Sequence, residues 1–212
     1  MTDLVHYDFW RSSASYRVRL AMNVLGLEPE VRHVDMFSME HRAPDYLKIN
    51  PQSMLPSVEI DGRILTQSIA IIRYLDERFG NGDLSGIGAD QRYRIDQLSA
   101  IITSDIAPVC NMAVMHKLGE WSGTTDYIPV WQKFFISKGL QALEQQLEDT
   151  NWAVGDRPTL VECCLIPQWF NAKLWNVDLS EFPKLNRIVE NAEKLDEFKR
   201  ARPDYVKSTL NI

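Results

Sequence analysis

The chain changes character at residues 80–88 (GNGDLSGIG), where four of its ten glycines fall within nine positions. Glycine has the largest backbone freedom to lose, so such a run ends regular structure and separates folding units. Before it, short β-forming runs alternate with helical stripes. After it, the apolar spacing is helical throughout. At about 150 residues per domain, 212 residues allow one large domain or two small ones. The break divides the chain into an α/β unit over 1–80, a linker over 81–88 and an all-α unit over 89–212.

Within the first unit, LVHYDF (4–9) reads as a strand. Ala14, Val18, Ala21 and Leu25 then repeat on one face of a helix, with Ser12 or Ser13 as N-cap and Gly26 as the C-terminal stop. VRHVD (31–35) reads as a second strand, and a strand–helix–strand order implies a right-handed crossover with parallel pairing. PDYLKI (44–49) reads as a short helix with Pro44 in its first turn, and NPQSMLP (50–56) as loop. VEI and RIL flank Asp61-Gly62, a strong hairpin signal. Ile72, Leu75 and Phe79 give a last helical stripe ending at Gly80. That order is thioredoxin-like. The second unit reads as helices over 89–118, 126–149, 159–175 and 183–201, the third opening on a Thr159–Glu162 capping box.

Charge and cysteine usage narrow the function classes. Lys+Arg 23 against Asp+Glu 29 leaves −6, so there is no cationic footprint for nucleic acid or anionic lipid. No apolar run reaches the ~18 residues of a membrane helix, and the first residues lack the basic start of a signal peptide. Three cysteines, two of them adjacent (Cys163, Cys164), make no disulfide framework and point to a reducing, cytoplasmic setting. His6, His33, His41 and His116 show no metal-ligand spacing, so no metal is expected.

Three places in the first unit hold candidate chemistry. Ser12 and Ser13 stand where the first strand meets the first helix, whose free N–H groups favour an anion. Thioredoxin-like redox proteins carry a Cys-x-x-Cys pair there. This chain reads Ser-Ser-Ala-Ser and has no thiol before Cys110, so it performs no disulfide exchange of its own. A ligand's thiolate would suit the site, a serine hydroxyl donating to it; plain helix capping is the alternative. Leu55-Pro56 precedes a strand. A cis bond there would offer the Leu55 backbone to a peptide-like ligand, whereas a trans bond would make it an ordinary loop. Gln67 and Ser68 open the next helix, either as a carboxylate site or as simple caps. Together the three suit a small anionic thiol peptide.

Beyond these readings, the stretch YDFWRSSASYRVRLA (7–21) resembles the signature of the zeta-class glutathione transferases, a family that includes maleylacetoacetate isomerases. NPQSMLPS (50–57), LTQSIAIIRYLDE (65–77), GDRPTLVECCLIPQ (155–168) and NAKLWNVDL (171–179) are similar to later segments of the family, so the resemblance spans the chain. It implies a thioredoxin-like glutathione-binding domain followed by an all-helical substrate domain, with glutathione as cofactor and a homodimer. Ser12 and Ser13 would face the sulfur and Leu55, beside Pro56, would pair with the cysteinyl backbone. Gln67 and Ser68 would hold the γ-glutamyl end, and His41 and Asn111 would add contacts. The implied reaction is cis–trans isomerisation of maleylacetoacetate or a similar maleyl diketo acid by reversible thiolate addition, in aromatic amino-acid or aromatic-acid breakdown.

Two positions that carry substrate-binding arginines in the family read Ala113 and Leu174 here, leaving Arg11 and Lys173 as candidate cations. Those departures keep two further readings in view. One is a zeta-like transferase that conjugates or dehalogenates small electrophiles such as α-halo acids. The other is a non-catalytic interaction protein of the same fold.

Overall fold

The computed structural model describes residues 3–210. The first unit contains β1 (Leu4–Asp8), α1 (Ser13–Val24), β2 (Glu30–His33), α2 (Pro44–Ile49), β3 (Ser57–Ile60), β4 (Arg63–Thr66) and α3 (Ser68–Leu75). The strands form one sheet in the order β2-β1-β3-β4. β1 pairs in parallel with β2, as a crossover through α1 requires, and β3 runs antiparallel to both β1 and β4. Asp61 and Gly62 close the hairpin at φ 50° and 72°, the two positive values that match strand twist. The α/β thioredoxin-like reading of this unit therefore holds.

The helical unit contains α4 (Ala89–Ala100), α5 (Met112–Ser122), α6 (Ile128–Gln146), α7 (Leu160–Leu174) and α8 (Pro183–Ala192). α7 is its axis: every residue from Leu160 to Trp169 is buried, Cys163 and Cys164 included. None of the helices among the described residues is long and apolar enough to cross a membrane. The spacing predicts one helix over 89–118, but the backbone makes two. α4 widens into a looser turn over Ile101–Ile106, Pro108 has no N–H to continue the ladder, and Asn111 caps α5.

The chain closes with α9 (Asp196–Ala201) and α10 (Pro203–Thr209). Periodicity groups residues 193–212 with the helical domain, whereas the compact units are residues 1–85 with 193–212, and 86–192. The expected helix over 183–201 breaks after Ala192, and Asp196 and Glu197 start a new first turn where acids favour the helix dipole. α9 lies against α1: Asn23 Nδ2 donates to the Glu197 carbonyl at 2.8 Å and Arg19 Nε to that of Ala201 at 3.0 Å. As a result α1 is buried almost all round, Tyr16, Arg17 and Arg19 as well as Val18 and Ala21.

The glycine-rich stretch is also less of a tether than its composition suggests. Asp76, fully buried, accepts the Leu84 N–H at 3.0 Å and the Ser85 N–H at 2.7 Å, and Leu84 itself is fully buried. The first unit therefore runs on to Ser85, and Gly86 and Gly88 follow at φ 87° and 81°.

Candidate active site

Sheet register brings the candidate residues of the first unit to one edge. Tyr7 pairs with Ser57 and Ser57 with Thr66, while Asp8 pairs with His33. The C-terminal end of β1, the N-terminal end of β3 and the C-terminal ends of β2 and β4 thus form one row. The chain leaves that row into Ser12-Ser13, arrives at it through Leu55-Pro56, and leaves it again into Gln67-Ser68.

Ser12 is the N-cap of α1, at φ −71° and ψ 122°. Its Oγ accepts the Ser15 N–H at 3.2 Å, its N–H donates to the Phe9 carbonyl at 2.9 Å, and its carbonyl accepts the Tyr16 N–H at 2.9 Å. Capping uses only a lone pair of the hydroxyl, so the O–H proton is left to donate outward. Capping and ligand binding are therefore compatible in one residue. Ser12 and Ser13 are half-buried, and the first turn of α1 contains no acid that would oppose an anion. Arg11, half-buried beside them, is pulled below the ordinary guanidinium value by burial.

The Leu55-Pro56 bond is cis. Among the described residues, no backbone hydrogen bond uses the Leu55 N–H or C=O. The loop before it is tightly held. Tyr46 Oη and Asn50 Nδ2 both donate to the Met54 carbonyl, at 2.7 and 2.8 Å, and Asn50 Oδ1 accepts the Gln52 N–H at 3.0 Å. These two residues shape the site and were not singled out from the sequence. The Asn before Pro51 was the available signal, since an asparagine that bonds its own backbone two residues on marks such a turn.

Gln67 takes φ 69°, ψ 109°, a backbone region that costs a non-glycine residue about 1–3 kcal/mol and that recurs at binding sites. Its Nε2 donates to Gln52 Oε1 at 3.0 Å, joining the third site to the Pro56 loop. Ser68 is buried at the start of α3, and its Oγ accepts from Arg17 Nη1 at 3.4 Å. Arg17 thereby ties α1 to α3. The arginines of the YRVRL run are a second group the apolar stripe did not reveal.

His41 is buried in a short turn over Glu40–Arg42. Its carbonyl accepts from Ser53 Oγ at 2.8 Å, its Nδ1 has no partner, and burial and the neighbouring Arg42 lower its pKa. Asn111 and Lys173 belong to the helical unit. The Asn111 side chain caps α5 by accepting the Ala113 N–H at 2.8 Å, and Lys173 is exposed in the last turn of α7. Cys110 is half-buried in the same unit, and burial pushes its thiol up to about 11, so it is no nucleophile at neutral pH. Among the described residues no three His, Cys, Asp or Glu side chains are grouped to hold a metal ion.

The first unit thus offers a hydroxyl donor, two helix N-termini clear of acids, and an unused backbone pair along one sheet edge. These groups fit a small peptide that carries a thiolate and a carboxylate.

Comparison with known proteins agrees with that chemistry. Residues 2–77 match the family model of the glutathione S-transferase N-terminal domain, and residues 136–191 that of the C-terminal domain. The maleylacetoacetate isomerase of Rhizobium meliloti (strain 1021) is 43% identical over 210 residues, covering 97% of this chain and 98% of that protein. The maleylpyruvate isomerase of a Ralstonia sp is 34% identical, covering 93% of this chain and 95% of that one. Among solved structures, a holo maleylpyruvate isomerase of the zeta class superposes with a TM-score of 0.91 at 33% identity, covering 95% and 97% of the two chains. The maleylacetoacetate isomerase of Anaeromyxobacter dehalogenans 2CP-1, with glutathione bound, gives 0.86 at 36% identity, covering 96% of each.

Proposed function

The chain belongs to the glutathione transferases, in their zeta class of maleylacetoacetate and maleylpyruvate isomerases, and from that premise we propose that it is a glutathione-dependent cis–trans isomerase of a maleyl diketo acid. The observation that carries this reading is Ser12, whose hydroxyl caps α1 with a lone pair and keeps its proton for a thiolate. Bound glutathione supplies the sulfur, which adds to the cis double bond, permits rotation about the resulting single bond, and leaves again to give the trans acid.

The protein's own part is to lower the cost of the thiolate and to orient it. The Ser12 hydroxyl donates to the sulfur, with Ser13 and the N–H groups of α1 adding positive potential. Leu55, placed by Pro56, pairs with the cysteinyl backbone through its N–H and C=O. Gln67 and Ser68 hold the γ-glutamyl end at the N-terminus of α3. His41 adds a polar contact to the peptide. Arg11 or, as the alternative, Lys173 is the cation assigned to a carboxylate of the acid. Glutathione is assigned to the first unit and the electrophile to the helical unit, which ends at Ala192. The working form is a homodimer in the cytoplasm, a compartment that suits three free cysteines.

The test is direct. Purified protein, glutathione and a maleyl diketo acid should show glutathione-dependent loss of the cis isomer and gain of the trans isomer. Absence of that conversion, with the protein folded, refutes the reading. A second reading follows from Ala113 and Leu174, where substrate arginines are expected. Release of halide from an α-halo acid without isomerisation supports a zeta-like transferase instead.

A further inference from the structure

Arg19 does more than tie α1 to α9. It lies in the second turn of α1 and is buried, 8% exposed against 1% for Asp8. Its guanidinium binds three consecutive residues, the last of β1 and the first two of the loop that delivers the chain to Ser12. Nη1 donates to Asp8 Oδ1 at 2.6 Å and to the Phe9 carbonyl at 3.5 Å, and Nη2 donates to the Trp10 carbonyl at 3.0 Å. Nε donates to the Ala201 carbonyl of α9 at 3.0 Å. The plane lies over the Tyr16 ring, its centre 5.2 Å from the ring centroid. The Phe9 carbonyl also accepts the Ser12 N–H at 2.9 Å. One rigid fork therefore joins the body of α1 to the end of β1 and to the loop entering the helix.

We propose that Arg19 is a positioning residue for the thiolate site: by clamping residues 8–10 to α1 and α9, it sets where the Ser12 hydroxyl and the first N–H groups of α1 stand. The inference rests on the isomerase reading for its catalytic consequence. Arginine is required for geometric reasons. A lysine can keep a cation beside Asp8, but a single ammonium cannot reproduce a planar fork reaching in three directions while stacked on a ring. Displacement of a reacting group by about 1 Å costs up to roughly a hundredfold in rate.

The test uses the full chain. Arg19→Lys keeps a charge beside Asp8, so no buried carboxylate is left unpaired. A second variant, Asp8→Asn combined with Arg19→Gln, removes both charges together. Asn23→Ala is the control: it cuts a separate side-chain tie to α9, to Glu197, without touching the loop. Amide hydrogen exchange of residues 9–13 is read without glutathione. The ultraviolet absorbance of bound thiolate against pH, the glutathione dissociation constant and kcat are read with it.

In Arg19→Lys, exchange over 9–13 should accelerate and the thiolate titration should move to higher pH. Its kcat should fall roughly tenfold or more, by a larger factor than glutathione affinity. Asn23→Ala should behave as wild type in all four. Wild-type exchange in both Arg19 variants, or wild-type kcat and titration despite faster exchange, overturns the proposal. So does Asn23→Ala matching Arg19→Lys, because tail docking alone would then explain the effect. Loss of the isomerase reading shows separately, as failure of the wild type to bind glutathione or to isomerise.

Discussion

Replacing Ser12 by alanine separates two jobs carried by one hydroxyl. As the cap of α1 it accepts the Ser15 N–H at 3.2 Å. Losing that bond costs about 1 kcal/mol of stability, which lowers Tm by roughly 2–4 °C in a protein of this size. As a donor to the glutathione sulfur it makes a hydrogen bond to a charged group, worth about 1.5–3 kcal/mol. At 1.36 kcal/mol per pKa unit, its removal raises the bound thiol by about 1–2 units. The sign follows from which form is stabilised. The hydroxyl favours the thiolate, so its loss favours the thiol, and activity should recover only at higher pH. The assay is the pH profile of glutathione-dependent isomerisation beside the thiolate absorbance of the bound complex. The acidic limb of both should move up together, with activity on that limb down about ten- to a hundredfold and nearly restored well above it. An unmoved limb refutes the role of Ser12. A uniform loss at every pH refutes the electrostatic account and points to misplacement instead.

Burial lowers His6 from 6.5 to about 4 in the folded chain, so the native state binds fewer protons than the unfolded one between those values. Stability is full above pH 6.5 and falls by up to roughly 3 kcal/mol as pH drops through that window; urea melts at several pH values should show this slope, and His6→Leu should flatten it. The fully buried Glu162 accepts the Ala153 and Thr159 N–H groups, each at 2.7 Å, and the Thr159 hydroxyl at 2.9 Å. Thr159→Ala should therefore cost about 1–2 kcal/mol, and a double-mutant cycle with Glu162→Gln should show coupling of about 0.5–3 kcal/mol; simple additivity would refute the box. A Cβ at Gly139 would overlap the side chain of Ile106. Gly139→Ala should thus destabilise by about 1–3 kcal/mol, and in a thermal melt the loss should shrink when Ile106→Ala, which removes both overlapping carbons, is the background.

Much of the fold is local and legible. Ser12 and Gly26 bracket α1, Asp61-Gly62 closes a hairpin, Pro44 starts α2, and Thr159 with Glu162 starts α7. Each depends on interactions spanning a few residues, so the sequence carries the whole signal. The expected helices over 89–118 and 183–201 failed for the complementary reason. Their apolar spacing continues through Pro108 and through Glu193–Leu195, and spacing does not register a missing N–H or a new helix start. The candidate site divides in the same way. Ser12, Pro56 and Ser68 sit at element boundaries that pattern reveals, and Asn50 bonds within its own turn, whereas Arg17 acts through Ser68, 51 residues along the chain.

By itself, then, the sequence determined the change of architecture at the glycine-rich stretch, the element order of the first unit, and the absence of a thiol before Cys110 that obliges sulfur chemistry to come from a ligand. Only the tertiary structure decided that residues 193–212 return to the first unit, that Asp76 draws Leu84 and Ser85 into it, and that Arg19 clamps the approach to Ser12. The physical reason is common to all three. Each rests on polar groups finding partners outside their own helix, from the Leu84 N–H that Asp76 accepts 8 residues on to the Ala201 carbonyl that Arg19 meets across 182 residues. A buried donor must be satisfied, but the sequence does not say by which acceptor.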